Sequence, residues 1–259
     1  MLHMTDKAST STEVSEATHE DLVSILAWLK HEYDENGGSG FWCNCEVIRN
    51  AFDTPETLWV IRRNGEAIAF QVGEYAAEIL SVRKDHRNCG LATSLLDASI
   101  ERAKAADVNA LSVQCASETA LGFWKRMGFL NYRDPRQPEN LMVRRVLSRA
   151  FDLPPSVPSV DVAIGFYPES AQYDRQRNVP PIAAHRVAGV RDLEGSIALE
   201  RRVIGLIDDE PDGRDLTIKI EVDGVKRCFC KAKHQAAKDA GVQHDSDGHT
   251  FFIDHVLEL

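Results

Sequence analysis

The sequence predicts a mixed α/β layer fold followed by a smaller α+β domain, on three observations. Apolar residues recur at helical spacing in two stretches: Leu22, Ile25, Leu26 and Leu29, then Ala92, Leu95, Leu96, Ile100 and Ala103. Between them, Asn64-Gly65 separates the apolar runs "TLWVIRR" and "EAIAFQVGEY", the signature of a hairpin with a type I′ turn. After Leu153, "LPPSVPS" and later "NVPP" interrupt the pattern, and cleanly alternating segments such as "DLTIKIEV" follow. Helices interleaved with strands, then a strand-rich tail, give the two-part reading.

The elements follow in order. "STEVSEAT" reads as a short strand and "HEDLVSILAWLKHEY" as a helix capped by Thr18. "ENGGSG" breaks that helix and "CEVIRNAF" makes a second. After the hairpin come the strand "AAEILSV" and a helix opening near Leu91. "NALSVQCA" is a strand, "ETALGFWKRMG" a helix closed by Gly128, and "FLNYR" and "NLMVRRVL" are strands. The order is β-α-α-β-β-β-α-β-α-β-β. Residues 1–14 read as a disordered start, 15–150 as the first domain, 151–182 as a Pro-rich linker, and 183–259 as an accessory α+β domain. In that last part "GSIALERRVIGLI" and "DLTIKIEV" are strands, and Asp223-Gly224 turns the chain into "VKRCFC". "KAKHQAAKDAG" is a helix and "TFFIDHVLEL" a final strand.

Charge and cysteine usage narrow the partners. There are 17 Lys+Arg against 21 Asp+Glu up to Ala150, and 13 against 19 beyond it, so both halves are acidic. Neither carries the overall basic field that favours nucleic acid; an acidic surface attracts cationic partners such as amines or basic protein segments. No apolar run approaches the roughly 20 residues that span a bilayer. The polar, acidic start resembles neither a secretory signal nor a transit peptide, so a cytoplasmic location is expected. The six cysteines are too scattered for a disulfide framework and read as reduced.

The chemistry concentrates at residues 82–92, "VRKDHRNCGLA", where a strand hands over to a helix. A helix start leaves its first amide N–H groups unpaired and carries partial positive charge, which suits a phosphate or diphosphate. Gly90 puts no Cβ in the way of an anion, and Arg87 adds charge-assisted contacts. The stretch is neither a P-loop nor a dinucleotide fingerprint, since both of those spacings are absent.

Arg87, Gly90 and Ala92, preceded by Val82, resemble the diphosphate loop [QR]-x-x-G-x-[GA] of the GCN5-related N-acetyltransferases, the GNAT superfamily. About thirty residues on, "ETALGFWKRMGF" resembles that family's second hallmark, a helix ending in an aromatic pair before x-K-x-G-F. The resemblance covers residues 15–147. It implies acetyl-CoA as cosubstrate, its pantetheine arm pairing with the backbone of Leu80 and Val82 like an added strand. It implies further that amides of Arg87, Asn88, Cys89, Gly90, Leu91 and Ala92 hold the diphosphate, with Ser117 and Trp124 also at the cofactor. A primary amine, on a small polyamine-like molecule or a basic protein segment, would attack the thioester directly. Two positions depart from the pattern. Trp124 replaces the tyrosine that protonates the leaving thiolate, and indole cannot serve as an acid at neutral pH. Ser117 replaces a frequent asparagine. Glu78 shares a strand face with Val82 and is the candidate base, with Glu74 and Tyr75 as alternatives. A non-catalytic acyl-CoA sensor or scaffold is the competing reading.

Residues 155–259 resemble no family. Cys228, Cys230, His234, His244, His249 and His255 invite a zinc reading, but no second pair completes a tetrahedral set, so no metal is expected. Cys228-x-Cys230 on a strand points both thiols to one face. "HDSDGH" reads as a solvated turn. Exposed strands such as "LTIKIEV" offer an edge for homodimer pairing.

Overall fold

The computed structural model describes residues 13–132, 139–154, 157–173, 179–193, 195–206, 215–244 and 250–257. Residues 1–12 of the start expected to be disordered lie outside these, as do most of "HDSDGH" and parts of the Pro-rich stretch. The chain divides into two compact units, one ending at Ala106 and one beginning at Asp107.

In the first unit, Val14–Glu16 (β1) leads into His19–Glu35 (α1), then Cys45–Phe52 (α2), Leu58–Arg63 (β2), Glu66–Val72 (β3), Ile79–Val82 (β4) and Leu91–Ala105 (α3). The four strands form one antiparallel sheet in the order β1-β2-β3-β4. α1 starts where expected: Thr18 and Asp21 form a reciprocal capping box. Its apolar stripe, Leu22, Ile25 and Leu29 with Trp28, is buried with Val60, Phe70 and Val72 of the sheet. The Trp28 indole donates to the Ala67 carbonyl at 3.1 Å. The β2–β3 turn has positive φ at both Asn64 (53°) and Gly65 (82°), as a type I′ turn requires. On the sheet's other side α3 buries Leu91 and Leu95 with Ile61, Ile68 and Ala69. Buried Gln71 of β3 donates to Ser99 of α3 at 3.1 Å, which fixes the rotation of that helix.

Asp21 also receives a hydrogen bond from Arg62 Nε at 2.8 Å. Burial pushes the Asp21 pKa up, but the hydrogen bonds from Arg62 and Thr18 outweigh it and hold the carboxyl below its ordinary value. A depressed native pKa gives stability that is complete above the unfolded value, about pH 4, and is lost as pH falls through the native one. Urea midpoints should therefore drop below about pH 4, and Asp21→Asn should flatten that part of the profile. An equally steep acid limb in the variant would contradict this.

The second unit opens with Ala110–Gln114 (β5), Glu118–Arg126 (α4), Leu130–Tyr132 (β6) and Met142–Val146 (β7), whose strands pair antiparallel as β5-β7-β6. Then come Ser159–Pro168 (β8), Ala183–Arg191 (β9), Ile197–Leu206 (β10), Leu216–Val222 (β11), Val225–Lys231 (β12), Gln235–Asp239 (α5), Gln243–His244 (β13) and Thr250–Val256 (β14). They form a seven-stranded antiparallel sheet in the order β12-β11-β8-β9-β10-β14-β13. Val162, Ile164, Phe166, Ile218, Ile220, Phe251 and Ile253 build a core on one face, with Ala237 of α5 packed in the same cluster.

Three expectations change here. β11, "LTIKIEV", expected to offer an exposed edge, is an interior strand paired with both β12 and β8. Residues 151–182, expected to be a linker, contain the ten-residue β8 between β11 and β9. Its prolines flank the strand, and Ala163 and Gly165 on the outer face blur an alternation that Val162, Ile164 and Phe166 carry on the inner one. The helix expected over "KAKHQAAKDAG" is reduced to Gln235–Asp239, because Lys231 closes β12 and Asp215 accepts from the Lys233 N–H at 3.0 Å. The division between units falls at residue 107, whereas composition marks a change near 150. Main-chain bonds from Arg202 to Arg149 and from Phe151 to Glu200, both 2.8 Å, join the β7 exit to β10. No helix among the described residues is long and apolar enough to cross a membrane.

Candidate functional site

Among the described residues β4 pairs with β3 alone and so forms the edge of its sheet. The Arg83 N–H donates to Ile68 at 2.9 Å, so Arg83 and, by the period of two, Ser81 face β3. The same alternation turns the main-chain groups of Leu80 and Val82 towards the open edge, while their side chains pack with Leu91 and Leu95 of α3. The loop from Arg83 to Gly90 carries the chain from this edge to the start of α3.

Two residues make that loop possible. Asn88 (φ 62°) and Gly90 (φ 81°) both lie in the left-handed region, and Gly90 is the N-cap of α3. No side chain caps the helix. Its first-turn N–H groups therefore keep no intrahelical acceptor. A Cβ placed on Gly90 would meet nothing within 4 Å, so the glycine is required by backbone conformation and leaves the approach open.

The basic residues of the stretch are largely paired within the loop and with neighbouring elements. Arg83 pairs with Asp85 at 2.9 Å and Glu66 at 3.1 Å, Lys84 with Glu35 at 3.7 Å, and Arg87 with Glu32 at 2.6 Å. Arg83 first, then His86, pull the Asp85 pKa down to about 2. Asp85 is thus ionised across the physiological range. Arg87 also donates from Nε to the Val82 carbonyl at 2.9 Å, and its Nη1 makes no hydrogen bond to a described residue. The loop's positive character towards an anion therefore comes mainly from the α3 amides.

Glu32 is the residue sequence reasoning missed. It is buried on α1, accepts the Lys84 N–H at 2.7 Å and the Arg87 guanidinium, and so holds the loop at two points. Its signal was a carboxylate at i+7 from Ile25 and i+3 from Leu29, on a stripe that past the capping Asp21 otherwise holds only apolar side chains.

Glu78 sits one residue before β4, its N–H bonded to Val72 and its side chain exposed. The hydrogen bond to Glu74 first, and burial second, raise the Tyr75 pKa, so its phenol stays protonated and is not available as a base. In the second unit, Ser117 is the N-cap of α4 but its side chain bonds none of the helix amides; its hydroxyl meets the Thr119 hydroxyl at 2.7 Å. The Trp124 ring is buried, set edge-on to Phe123 and Phe129 with centroids 5.2 and 5.1 Å apart. Cys115 is buried too, which pushes its thiol pKa up. Among the described residues, no group of three or more His, Cys, Asp or Glu side chains is placed to hold a metal ion.

Residues 16–129 match the model of the acetyltransferase (GNAT) family. That segment is a GNAT-family domain. It contains both motifs, Arg87-x-x-Gly90-x-Ala92 and the Phe123-Trp124 helix. No curated protein matches the chain. Among solved structures, an acetyltransferase of the GNAT family from Staphylococcus aureus Mu50 is 15% identical with a TM-score of 0.43, covering 52% of this chain and 98% of its own. PaiA N-acetyltransferase from Thermoplasma acidophilum, solved in complex with coenzyme A, is 11% identical with a TM-score of 0.38, covering 52% and 98%. N-acetylglutamate synthase from Neisseria gonorrhoeae, complexed with coenzyme A and N-acetyl-glutamate, is 16% identical with a TM-score of 0.41, covering 53% and 35%. The GNAT domain takes in all but the margins of the first unit and the opening of the second.

Proposed function

We propose that the GNAT domain binds acetyl-CoA and transfers its acetyl group to a primary amine, on a small polyamine-like molecule or a basic protein segment. The observation that carries this is the uncapped α3 start, reached from the β4 edge through left-handed Asn88 and Gly90. The amides of Asn88, Cys89, Gly90, Leu91 and Ala92 hold the diphosphate, with Arg87 Nη1 beside them. The outward-facing Leu80 main chain takes the pantetheine arm as an added strand, Arg87 would release the Val82 carbonyl to complete that pairing, and the Val82 N–H polarises the thioester carbonyl. Glu78 takes the amine's proton, directly or through one water, and the amine nitrogen attacks the acyl carbon as the thiolate leaves. Trp124 offers no acidic hydroxyl, so water protonates the thiolate.

Gly90→Val is the direct test. A side chain at φ 81° costs of order 1–3 kcal/mol in backbone strain and stands over the amides. Calorimetric titration should show acetyl-CoA binding by the wild type and its loss in the variant, with circular dichroism unchanged. Unchanged affinity in a folded Gly90→Val protein would overturn the assignment. The burial of Trp124 favours one second reading, a GNAT domain that binds acyl-CoA without turnover. Thiol release over a panel of polyamines and basic peptides separates the two, since the sensor binds acetyl-CoA and releases nothing.

A further inference from the structure

Cys228 and Cys230 lie on β12, and the proposed acetyl transfer uses neither. Strand alternation puts both side chains on one face, and their sulfurs are 3.3 Å apart, in contact without a bond. Across the strand they oppose Ile220 and Ile218, and the Cys228 sulfur lies 4.0 Å from the Ala236 carbonyl of α5. Cys228 is buried and Cys230 half-buried, so the pair meets solvent through Cys230.

We propose that Cys228 and Cys230 form a bidentate dithiol site for a pyramidal, thiophilic trivalent centre, of which an organoarsenical is the simplest member. Three alternatives fit the geometry less well. A disulfide would draw the sulfurs from 3.3 Å to about 2.05 Å. It would do so between Cα atoms two strand rises apart, about 6.6–6.8 Å, at the upper limit of disulfide spacing. Zinc needs four donors, and no third joins the pair among the described residues. A linear two-coordinate ion sets its sulfurs on opposite sides, not side by side. A pyramidal centre holds two sulfurs at roughly a right angle and accepts them near their present places, its third position filled by its own substituent.

The reaction balances without an oxidant. With an aryl arsine oxide, two As–S bonds form as both As–O bonds of the oxide break, and the two thiol protons leave with the oxygen as one water. Burial first, and the Cys230 sulfur second, hold the Cys228 thiol well above its ordinary pKa. Cys230 therefore adds first, and the proton of Cys228 departs with arsenic-bound hydroxide, so a free Cys228 thiolate is never required.

The chain carries its own control. Cys43 and Cys45 share the C-x-C spacing but sit on helical turns, with Cys43 turned to Gly40 and Asn44 and Cys45 to Glu46. The reduced full-length protein is treated with equimolar phenylarsine oxide and read by intact mass, with and without a monothiol wash. A chelate resists the monothiol and is released by a dithiol. One wash-resistant adduct per chain is expected in the wild type and in Cys43→Ser/Cys45→Ser, and none in Cys230→Ser. Cys228→Ala, checked by circular dichroism, should lose it as well. No adduct in the wild type, an adduct surviving Cys230→Ser, or one lost in Cys43→Ser/Cys45→Ser would each overturn the proposal.

Discussion

Replacing Arg202 by methionine is expected to destabilise the second unit by about 3–5 kcal/mol, read from the urea midpoint of its unfolding. Arg202 is 5% exposed and holds four groups at once. It donates to Asp254 through Nε at 2.8 Å and Nη2 at 2.6 Å, and to Asp107 and Asn109 through Nη1 at 2.8 and 2.9 Å. Its guanidinium stacks on Phe252, 4.1 Å from the ring centroid. Burial lowers the Arg202 pKa, yet the two aspartates outweigh that and raise it, so the cation is fixed at any working pH. Methionine keeps much of the packing volume but leaves the Asp254 carboxylate, 12% exposed, without its bidentate partner. Uncompensated buried charge is the dominant cost, larger than the lost contacts themselves. Adding Asp254→Asn should therefore recover part of the loss, as a double-mutant cycle resolves. A cost below about 1 kcal/mol for Arg202→Met would show the cluster to be solvated and dispensable.

The first unit was legible in the sequence because its signals are local. Thr18 and Asp21 close a cap within one turn, Asn64-Gly65 closes a hairpin, and the α3 stripe lies on contiguous residues. The loop's motif was equally legible, since Arg87, Gly90 and Ala92 lie within six contiguous residues, and Gly90 takes its positive φ without steric cost. What escaped depends on distant partners. β8 is recognisable as a central strand only once β9 and β11 flank it, because two of the five residues on its outer face are Ala163 and Gly165. The partners of Arg202 lie about fifty and ninety residues away in the chain, beyond any window of periodicity. The basic look of "VRKDHR" was misleading in the same way. Its charges are taken up by Glu32, Glu35 and Glu66, which come from α1 and β3. The proposed cradle is main chain rather than cationic side chain.

Glu32→Gln should weaken acetyl-CoA binding about tenfold, about 1.4 kcal/mol, with kcat little changed. This prediction rests on the proposed function, and hydrogen exchange at Lys84 supplies a readout independent of it. The carboxylate accepts the Lys84 N–H through one oxygen and the Arg87 guanidinium through the other, so one buried group fixes the first half of the loop at two points. Glutamine keeps the shape but loses the charge, and charge-assisted hydrogen bonds are roughly twice as strong as neutral ones. The loosened loop must then be ordered by the ligand itself, which raises KM more than it alters the chemical step. An opposing effect exists. Neutralising Glu32 releases the Arg87 guanidinium to meet the diphosphate directly, which would tighten binding. The two differ in sign. We expect ordering to win, because Arg87 Nη1 is already available while Glu32 holds the other side of the fork. Faster exchange at Lys84 together with weaker binding supports the positioning role. Tighter or unchanged binding would show that Glu32 restrains Arg87 from the ligand instead of presenting it.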